Sequence, residues 1–361
     1  MTGAAACLAG FEGLSVVIHG SSGCYYYPTI LLHAQLHGTF IIENEVIFGS
    51  EDRLHDVISG LSGHGNRIAV ITTCVPSILG EDIRSILAED EIILVDSPGF
   101  SGEVETGYAN ALSVLAPKID PETEGVNIEG ICLFDLFSRG NQLEITRLLR
   151  MANIPTGTVI SADKLENIWR ASPFTIGTNE DFGSGIGKHL GGTLGFEKIR
   201  NTFKRLGDHF ENANIDPVLT ELEQQEERVV RACDKYLHRY NPPSTAIFAG
   251  WSYAVFAAET LSHYLDADIC CIGSRTKAGE SSYPVVHAAG LSQVSELIRA
   301  SDPDLVIGSS FERSVCKDKA FTSIIPPVRG RVRLYPTPIA GISGNLSFIE
   351  NVLNACMDKT D

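Results

Sequence analysis

The chain has 361 residues, 43% of them hydrophobic and 20% charged, the proportions of a globular protein with room for two or three domains rather than of a disordered one. Its 28 basic and 45 acidic residues leave a net charge of −17, which excludes the basic surface that nucleic acid needs and suits small molecules or a basic partner. No apolar run reaches membrane-spanning length, the N-terminus lacks the basic head of an export signal, and the cysteine count is odd, so we expect reduced thiols in a cytoplasmic protein.

In chain order, short apolar runs alternate with stretches of helical spacing. "LSVVIHG", "RIAVITT", "EIILVDSP", "GICLFD", "TGTVIS", "TAIFAG", "DICCIG" and "PDLVIGS" read as buried strands, because they run apolar without polar alternation. "YPTILLHAQLHG", "SEDRLHDVISGLSG", "EDIRSILAED", "QLEITRLLRMAN" and "YAVFAAETLSHYL" read as amphipathic helices between them. Such alternation predicts α/β architecture with parallel sheets and helices on both faces. Two polar, proline-bearing stretches, "APKIDPETEGVN" and "HRYNPPSTA", the second behind the charged helix "LTELEQQEERVVRACDKYL", suggest three Rossmann-like domains: 1–122, 123–242 and 243–361.

Cys24 follows the first strand in "VVIHGSSGCYYYP", and Cys74 follows the second in "VITTCVPSILGEDI". Loops after parallel strands open on the carboxyl edge, where ligands bind, so both cysteines should share one rim. Pro28 suits the first turn of the helix after Cys24. Loop amides and a helix N-terminus favour the metal-binding thiolate, and Gly20 and Gly23 let the backbone approach a bulky inorganic body. Two thiolates are half of what an iron–sulfur cluster takes, and a twofold axis beside the rim would supply the rest. The alternative on spacing alone is a pair of buried structural thiols.

Several co-linear segments resemble the nitrogenase component 1 family over nearly the whole chain. "VVIHGSSGC" resembles its His-Gly-Pro-x-Gly-Cys segment, with Ser22 next to the proline's place, and "FIIENEVIFGSEDRLHDVI" resembles its Val-Phe-Gly-Gly segment. "TTCVPSILGEDI" is similar to Thr-Cys-x-x-x-x-Ile-Gly-Asp-Asp-Ile, and "DSPGFSGEVETGYANAL" to Pro-Gly-Phe-x-Gly. "VNIEGICLFD", "PDLVIGSSFERSVC" and "PTPIAGISGNLSFIENVL" keep the family's order to the end. The resemblance implies that Cys24 and Cys74 bind an iron–sulfur cluster, of the 4Fe–4S kind, shared between two subunits. These would be a homodimer or a pair of paralogues. It further implies an ATP-hydrolysing iron protein as electron donor.

The chain departs from true nitrogenases at both anchors of their molybdenum–iron cofactor. "RASPFTIGTNEDFGSG" has no cysteine, and Ala340 in "PIAGISG" stands where a histidine ligand is needed, so no cofactor of that type is expected. What remains resembles the smaller nitrogenase-like reductases. These pass single electrons to a conjugated small molecule, often a tetrapyrrole such as protochlorophyllide or nickel sirohydrochlorin diamide. The other reading is an assembly scaffold without turnover. "FGSGIGKHLGG" approaches a phosphate-binding loop, but Phe182 stands where glycine is needed and His189 where the Mg²⁺-binding hydroxyl belongs, so it reads as a glycine-rich turn into a helix. Tyr25 to Tyr27 could stack on a flat macrocycle or simply pack over the cluster. His19, Glu43, Glu81 and Asp82 lie near the rim, as proton donors or, more plainly, as loop and capping residues. Cys7 falls in a helix ahead of the first strand, as a small apolar residue or a further cluster ligand. Cys132, Cys270, Cys271 and Cys316 read as core residues, and Cys233 and Cys356 lie on helices without an assigned role.

Overall fold

A computed structural model of the chain describes residues 1–87, 92–279, 281–288, 290–328 and 334–360. The strands are β1 (Leu14–His19), β2 (His37–Gly38), β3 (Arg67–Thr72), β4 (Ile93–Asp96), β5 (Val126–Glu129), β6 (Thr156–Val159), β7 (Phe174–Gly177), β8 (Lys188–Gly192), β9 (Ser244–Ala249), β10 (Asp268–Ser274), β11 (Val285–His287), β12 (Leu305–Gly308) and β13 (Ala320–Ser323). They form three sheets, of order β2-β1-β3-β4, β6-β5-β7-β8 and β11-β10-β9-β12-β13. Every neighbouring pair in the first and last of these is parallel, as expected for strands joined by helices. By contacts the chain divides into two compact units: Met1–Phe134 with Gly157–Phe174 and Phe182–Lys188, and Asp135–Thr156 with Thr175–Asp181 and His189–Asp361.

In the first unit, alternate residues of the first sheet serve two cores. Val16, Ile18, Ala69, Ile71 and Val95 face the helices Thr2–Leu8 and Val104–Leu115. Val17, Ile68 and Val70 face Leu54 and Ile58 of the helix Glu51–Leu61 and Ile83 beyond it. This is why β1 and β3 read as unbroken apolar runs: both faces are covered. Helix Thr2–Leu8 approaches its neighbour so closely that a Cβ on Gly3 would sit 1.7 Å from the Val104 carbonyl oxygen. In the second unit, Ala246, Phe248, Cys271 and Val306 pack under Val294 and Ile298 of the helix Leu291–Ser301.

Four expectations are corrected. The helix over "YPTILLHAQLHG" is displaced toward the N-terminus. It spans Ser22–Leu32 and ends at His33 in the left-handed region, and His37–Gly38 then pairs with Val17 and Ile18 as an edge strand. Pro28 is therefore an interior residue of that helix, not a first-turn one. The strand near "GICLFD" is the preceding "VNIE", because Gly130 at φ +81° breaks the run. The turn after Phe182 bends through Gly185 and Gly187, both at positive φ, into strand β8 and not into a helix. The helix expected over "EDIRSILAED" is described only as Ile83–Ile86, and residues 88–91 lie outside the described residues.

Candidate functional site

The first sheet changes direction between β1 and β3: the chain runs from β1 outward to β2, then crosses back to β3 on the other side. Ligands of open parallel sheets bind outside the carboxyl ends of the strands at such a reversal. Cys24 and Cys74 are the cysteines that follow those two strands. Cys24 is the third residue of helix Ser22–Leu32, and Cys74 opens the helix Cys74–Leu79. Both thiols are partly exposed, whereas six of the other seven cysteines are buried. Each sulfur has a donor: the Ser21 hydroxyl at 3.7 Å from Cys24 Sγ, and the Gly99 N–H at 3.2 Å from Cys74 Sγ. The Met1 amine donates to Ser97 Oγ at 2.9 Å, and burial lowers its pKa, partly opposed by Cys74 and Cys24.

The two cysteine-bearing turns are locked to each other. Thr73 donates twice to the His19 carbonyl oxygen, from its N–H at 3.1 Å and from Oγ1 at 2.9 Å. Gly20 lies flat on Thr73: a Cβ there would fall 1.8 Å from Oγ1. Pro28 has no N–H, so the Cys24 carbonyl cannot receive its helical i→i−4 bond. Tyr25 turns inward, its hydroxyl on the Leu36 carbonyl at 3.2 Å and its ring edge-on to Phe40. Tyr26 and Tyr27 point into solvent. Further exposed apolar side chains stand on the segments after β2, β3 and β4: Ile47 (71% exposed), Phe48 (84%), Ile78 (72%) and Phe100. So much bare apolar surface on one edge marks a surface built to be covered.

Beneath the rim the structure joins two expected candidates through a third residue. His19 is fully buried, with Nδ1 3.2 Å from Thr39 Oγ1 and Nε2 3.2 Å from Ser50 Oγ. Ser50 donates to Glu81 Oε2 at 2.6 Å, and that oxygen lies 3.5 Å from His19 Nε2. Burial lowers the His19 pKa, and Glu81 partly opposes this. Sequence reasoning missed Ser50 and Thr39. The available signal was the glycine turn at Gly49, which, like Gly80 before Glu81, is at positive φ. Asp82 caps the helix Ile83–Ile86 through the Ser85 N–H, and Glu43 stands in the first turn of helix Glu43–Phe48.

Cys7 is fully buried in helix Thr2–Leu8, and burial pushes its thiol well above the ordinary value. Cys132 is buried in the segment after β5. Burial pushes Cys233, Cys271, Cys316 and Cys356 up to about 11, and raises Cys270 as well, which disfavours the ligating thiolate. Ala340 is also fully buried, its side chain is a methyl group without a ligand atom, and its N–H and that of Ile339 both donate to Asn141 Oδ1 at 2.9 Å.

The donor set at the rim fits half of an iron–sulfur cluster. It offers two partly exposed thiols with sulfur-directed donors, beside Gly23, where an added Cβ would meet only a hydroxyl 3.9 Å away, and Gly99, where it would fall 3.4 Å from Cys74 Sγ. Among the described residues no group of three or more His, Cys, Asp or Glu side chains could hold a metal within one chain, and no helix is long and apolar enough to cross a membrane.

Comparison with known proteins follows the same lines. The family model for nitrogenase component 1 type oxidoreductases matches residues 1–178 and 179–357. The nitrogenase iron-molybdenum cofactor biosynthesis protein NifE of Clostridium pasteurianum is 22% identical over 340 residues, 82% of this chain and 74% of the relative. The nitrogenase molybdenum-iron protein beta chain of Bradyrhizobium diazoefficiens is 29% identical over 185 residues, 42% of this chain and 35% of the relative, so the chain spans only about a third of that protein. A solved structure described as nitrogenase Cp1 at pH 6.5 superposes with a TM-score of 0.83 at 17% identity, covering 99% of this chain and 92% of the other, which establishes the fold.

Proposed function

The chain belongs to the nitrogenase component 1 type oxidoreductase family, and from that premise we propose that it is the electron-accepting, substrate-binding subunit of a two-component reductase, with Cys24 and Cys74 as its half of an iron–sulfur cluster shared across a dimer. The observation that carries this reading is the pair of partly exposed thiols on two mutually locked turns at the sheet's reversal. Bound there, such a cluster supplies one-electron storage. The chain's own residues then do three things. Thr73 and the bare Cα of Gly20 fix the spacing of the two turns. The Ser21 hydroxyl and Gly99 N–H place positive dipole ends on the sulfurs, stabilising their charge. Ile47, Phe48 and Ile78, once covered by a second subunit, exclude water from the rim.

The electron donor in this reading is a separate ATP-hydrolysing iron protein, since the turn from Phe182 runs into a strand and has no helix to cradle phosphate. The substrate is a conjugated small molecule, with a tetrapyrrole as the leading class. Exposed Tyr26 and Tyr27 supply flat apolar faces on the rim, and the buried Ala340 supports a site without a molybdenum–iron cofactor anchor. A second reading, an assembly scaffold, is favoured by the long match to NifE and by a match to a NifN protein of Mesorhizobium japonicum, 30% identical over 132 residues, 31% of this chain and 29% of the relative. Anaerobic co-purification with the iron protein, followed by an assay with Mg-ATP and identification of any bound chromophore, tests the two. Reduction of a bound chromophore supports the reductase. Transfer of a metal–sulfur cluster to an acceptor protein, without substrate reduction, supports the scaffold and overturns the first reading.

A further inference from the structure

Both ring nitrogens of the buried His19 face a hydroxyl: Thr39 Oγ1 at Nδ1 and Ser50 Oγ at Nε2, each at 3.2 Å. The single Ser50 proton is committed to Glu81, donated to Oε2 at 2.6 Å while the Ser50 N–H holds Oε1 at 3.2 Å. While Glu81 is ionised, Ser50 Oγ can therefore only accept from His19, which puts the ring proton on Nε2. The neutral ring then accepts at Nδ1 from the Thr39 hydroxyl, whose oxygen in turn receives the Gly20 N–H at 3.0 Å. Hydrogen bonds run one way, from the Gly20 amide to the Glu81 carboxylate, and the row holds three mobile protons.

A fourth proton can be held with every group still satisfied. With His19 doubly protonated, Nδ1–H donates to Thr39, and the Thr39 hydroxyl turns to the Gly20 carbonyl oxygen, 3.5 Å away. At the other end the same proton can be passed outward. His19 Nε2 gives its proton to Ser50 Oγ as Ser50 gives its own to Glu81 Oε2; one N–H and one O–H bond break, two O–H bonds form, and a charged pair becomes a neutral one. Glu81, with its side chain 11% exposed, is the row's end toward solvent. The other charged groups near His19 are engaged or point outward. Asp82 caps Ser85, Asp96 at the end of β4 holds the Thr72 and Ser77 hydroxyls, Glu51 and Asp52 are exposed at the start of their helix, and His37 lies on β2 beside Val17. Burial is the larger influence on the His19 titration, and of the charged groups only Glu81 bears on it, in the opposite direction.

We propose that His19, Ser50 and Glu81 form a one-proton store whose filling turns the Thr39 hydroxyl from His19 to the Gly20 carbonyl, at the root of the turn that carries Cys24. The use of this proton rests on the function proposed above: a charge added at the rim by an electron is matched by a proton held one turn below it. His19, Ser50 and Glu81 are positioning residues in this account, since none touches a sulfur.

Two-bond ¹⁵N–¹H NMR of the full, ¹⁵N-histidine-labelled chain, kept anaerobic, tests the store directly, with the His19 signals assigned by their loss in His19→Gln. At pH 8 the ring should be the neutral Nε2–H tautomer, and it should take up one proton on acidification. Glu81→Gln should weaken that uptake at least tenfold. A neutral Nδ1–H tautomer at pH 8, a measurement that needs no Glu81 variant, or a His19 titration unmoved in Glu81→Gln, overturns the store. On protein loaded with its cluster, the reduction equilibrium should change tenfold per pH unit across the His19 titration, about 59 mV for a one-electron couple, and His19→Gln should flatten it. A pH-independent potential in the wild type overturns the coupling. If no cluster binds but the tautomer and titration hold, the store stands and the proposed function falls. If the cluster binds at Cys24 and Cys74 but the tautomer is reversed, only the store falls.

Discussion

Replacing Gly20 by alanine puts a methyl carbon 1.8 Å from Thr73 Oγ1 and 3.1 Å from Thr73 Cβ. Neither neighbour can step aside freely, because Thr73 is fully buried and its hydroxyl and amide both hold the His19 carbonyl. Overpacking of this kind costs roughly 1–3 kcal/mol. Turning the Thr73 hydroxyl away loses a buried hydrogen bond worth about 1 kcal/mol. Gly20→Ala should therefore destabilise the first unit by roughly 2–4 kcal/mol. Thr73→Ala alone should cost about 1 kcal/mol, and in its background the 1.8 Å clash is gone and only the 3.1 Å contact with the residue 73 Cβ is left, so the double variant should fall short of the sum by at least about 1 kcal/mol. The assay is urea unfolding followed at Trp169, the tryptophan of the first unit, in a Trp251→Phe background. A Gly20→Ala variant within about 0.5 kcal/mol of its parent, or strict additivity in the double variant, would refute the claim that this contact locks the two turns.

Three further outcomes follow from the same geometry. His19 has its native pKa lowered from 6.5 by burial, so the unfolded chain binds more protons there. Its contribution to stability is whole above pH 6.5 and is lost on acidification through that value, with a slope of at most about 1.4 kcal/mol per pH unit; denaturation against pH should show this slope in the wild type and not in His19→Gln. Phe48→Glu or Ile78→Glu should weaken dimerisation at least tenfold in sedimentation, since burying one large apolar side chain contributes roughly 1.5–3 kcal/mol, and unchanged association would remove the rim from the interface. The isolated chain should not hydrolyse ATP, because the turn through Gly185 and Gly187 leads into β8, and an activity abolished by Lys188→Ala would place nucleotide chemistry in this chain.

The first sheet and its rim were legible because local pattern and global packing agree there. β1 and β3 are covered on both faces, so each is an unbroken apolar run ending in a glycine or threonine turn that carries a cysteine. β5 was misread because its polar residues are buried against partners far along the chain. Asn127 bonds the Ser172 backbone and Thr158 N–H, and Glu129 accepts from Ser184, so polarity did not mean exposure. The more apolar "ICL" beyond Gly130 took its place by composition alone. Pro28 looked like a helix start because proline favours a first turn, whereas the helix starts after Ser21, whose side chain makes no capping bond. The His19–Ser50–Glu81 row was illegible for a different reason. Its members come from the end of β1 and from two loops far apart in the sequence, and only the folding of the first sheet brings them together.

Protein purified without oxygen should contain iron and acid-labile sulfide and show the charge-transfer absorption of an iron–sulfur cluster. The Cys24→Ala, Cys74→Ala double variant, folded by circular dichroism, should contain neither, because both rim sulfurs are gone. Full iron and sulfide content in that variant, equal to the wild type prepared beside it, would contradict the assignment of the cluster to this rim.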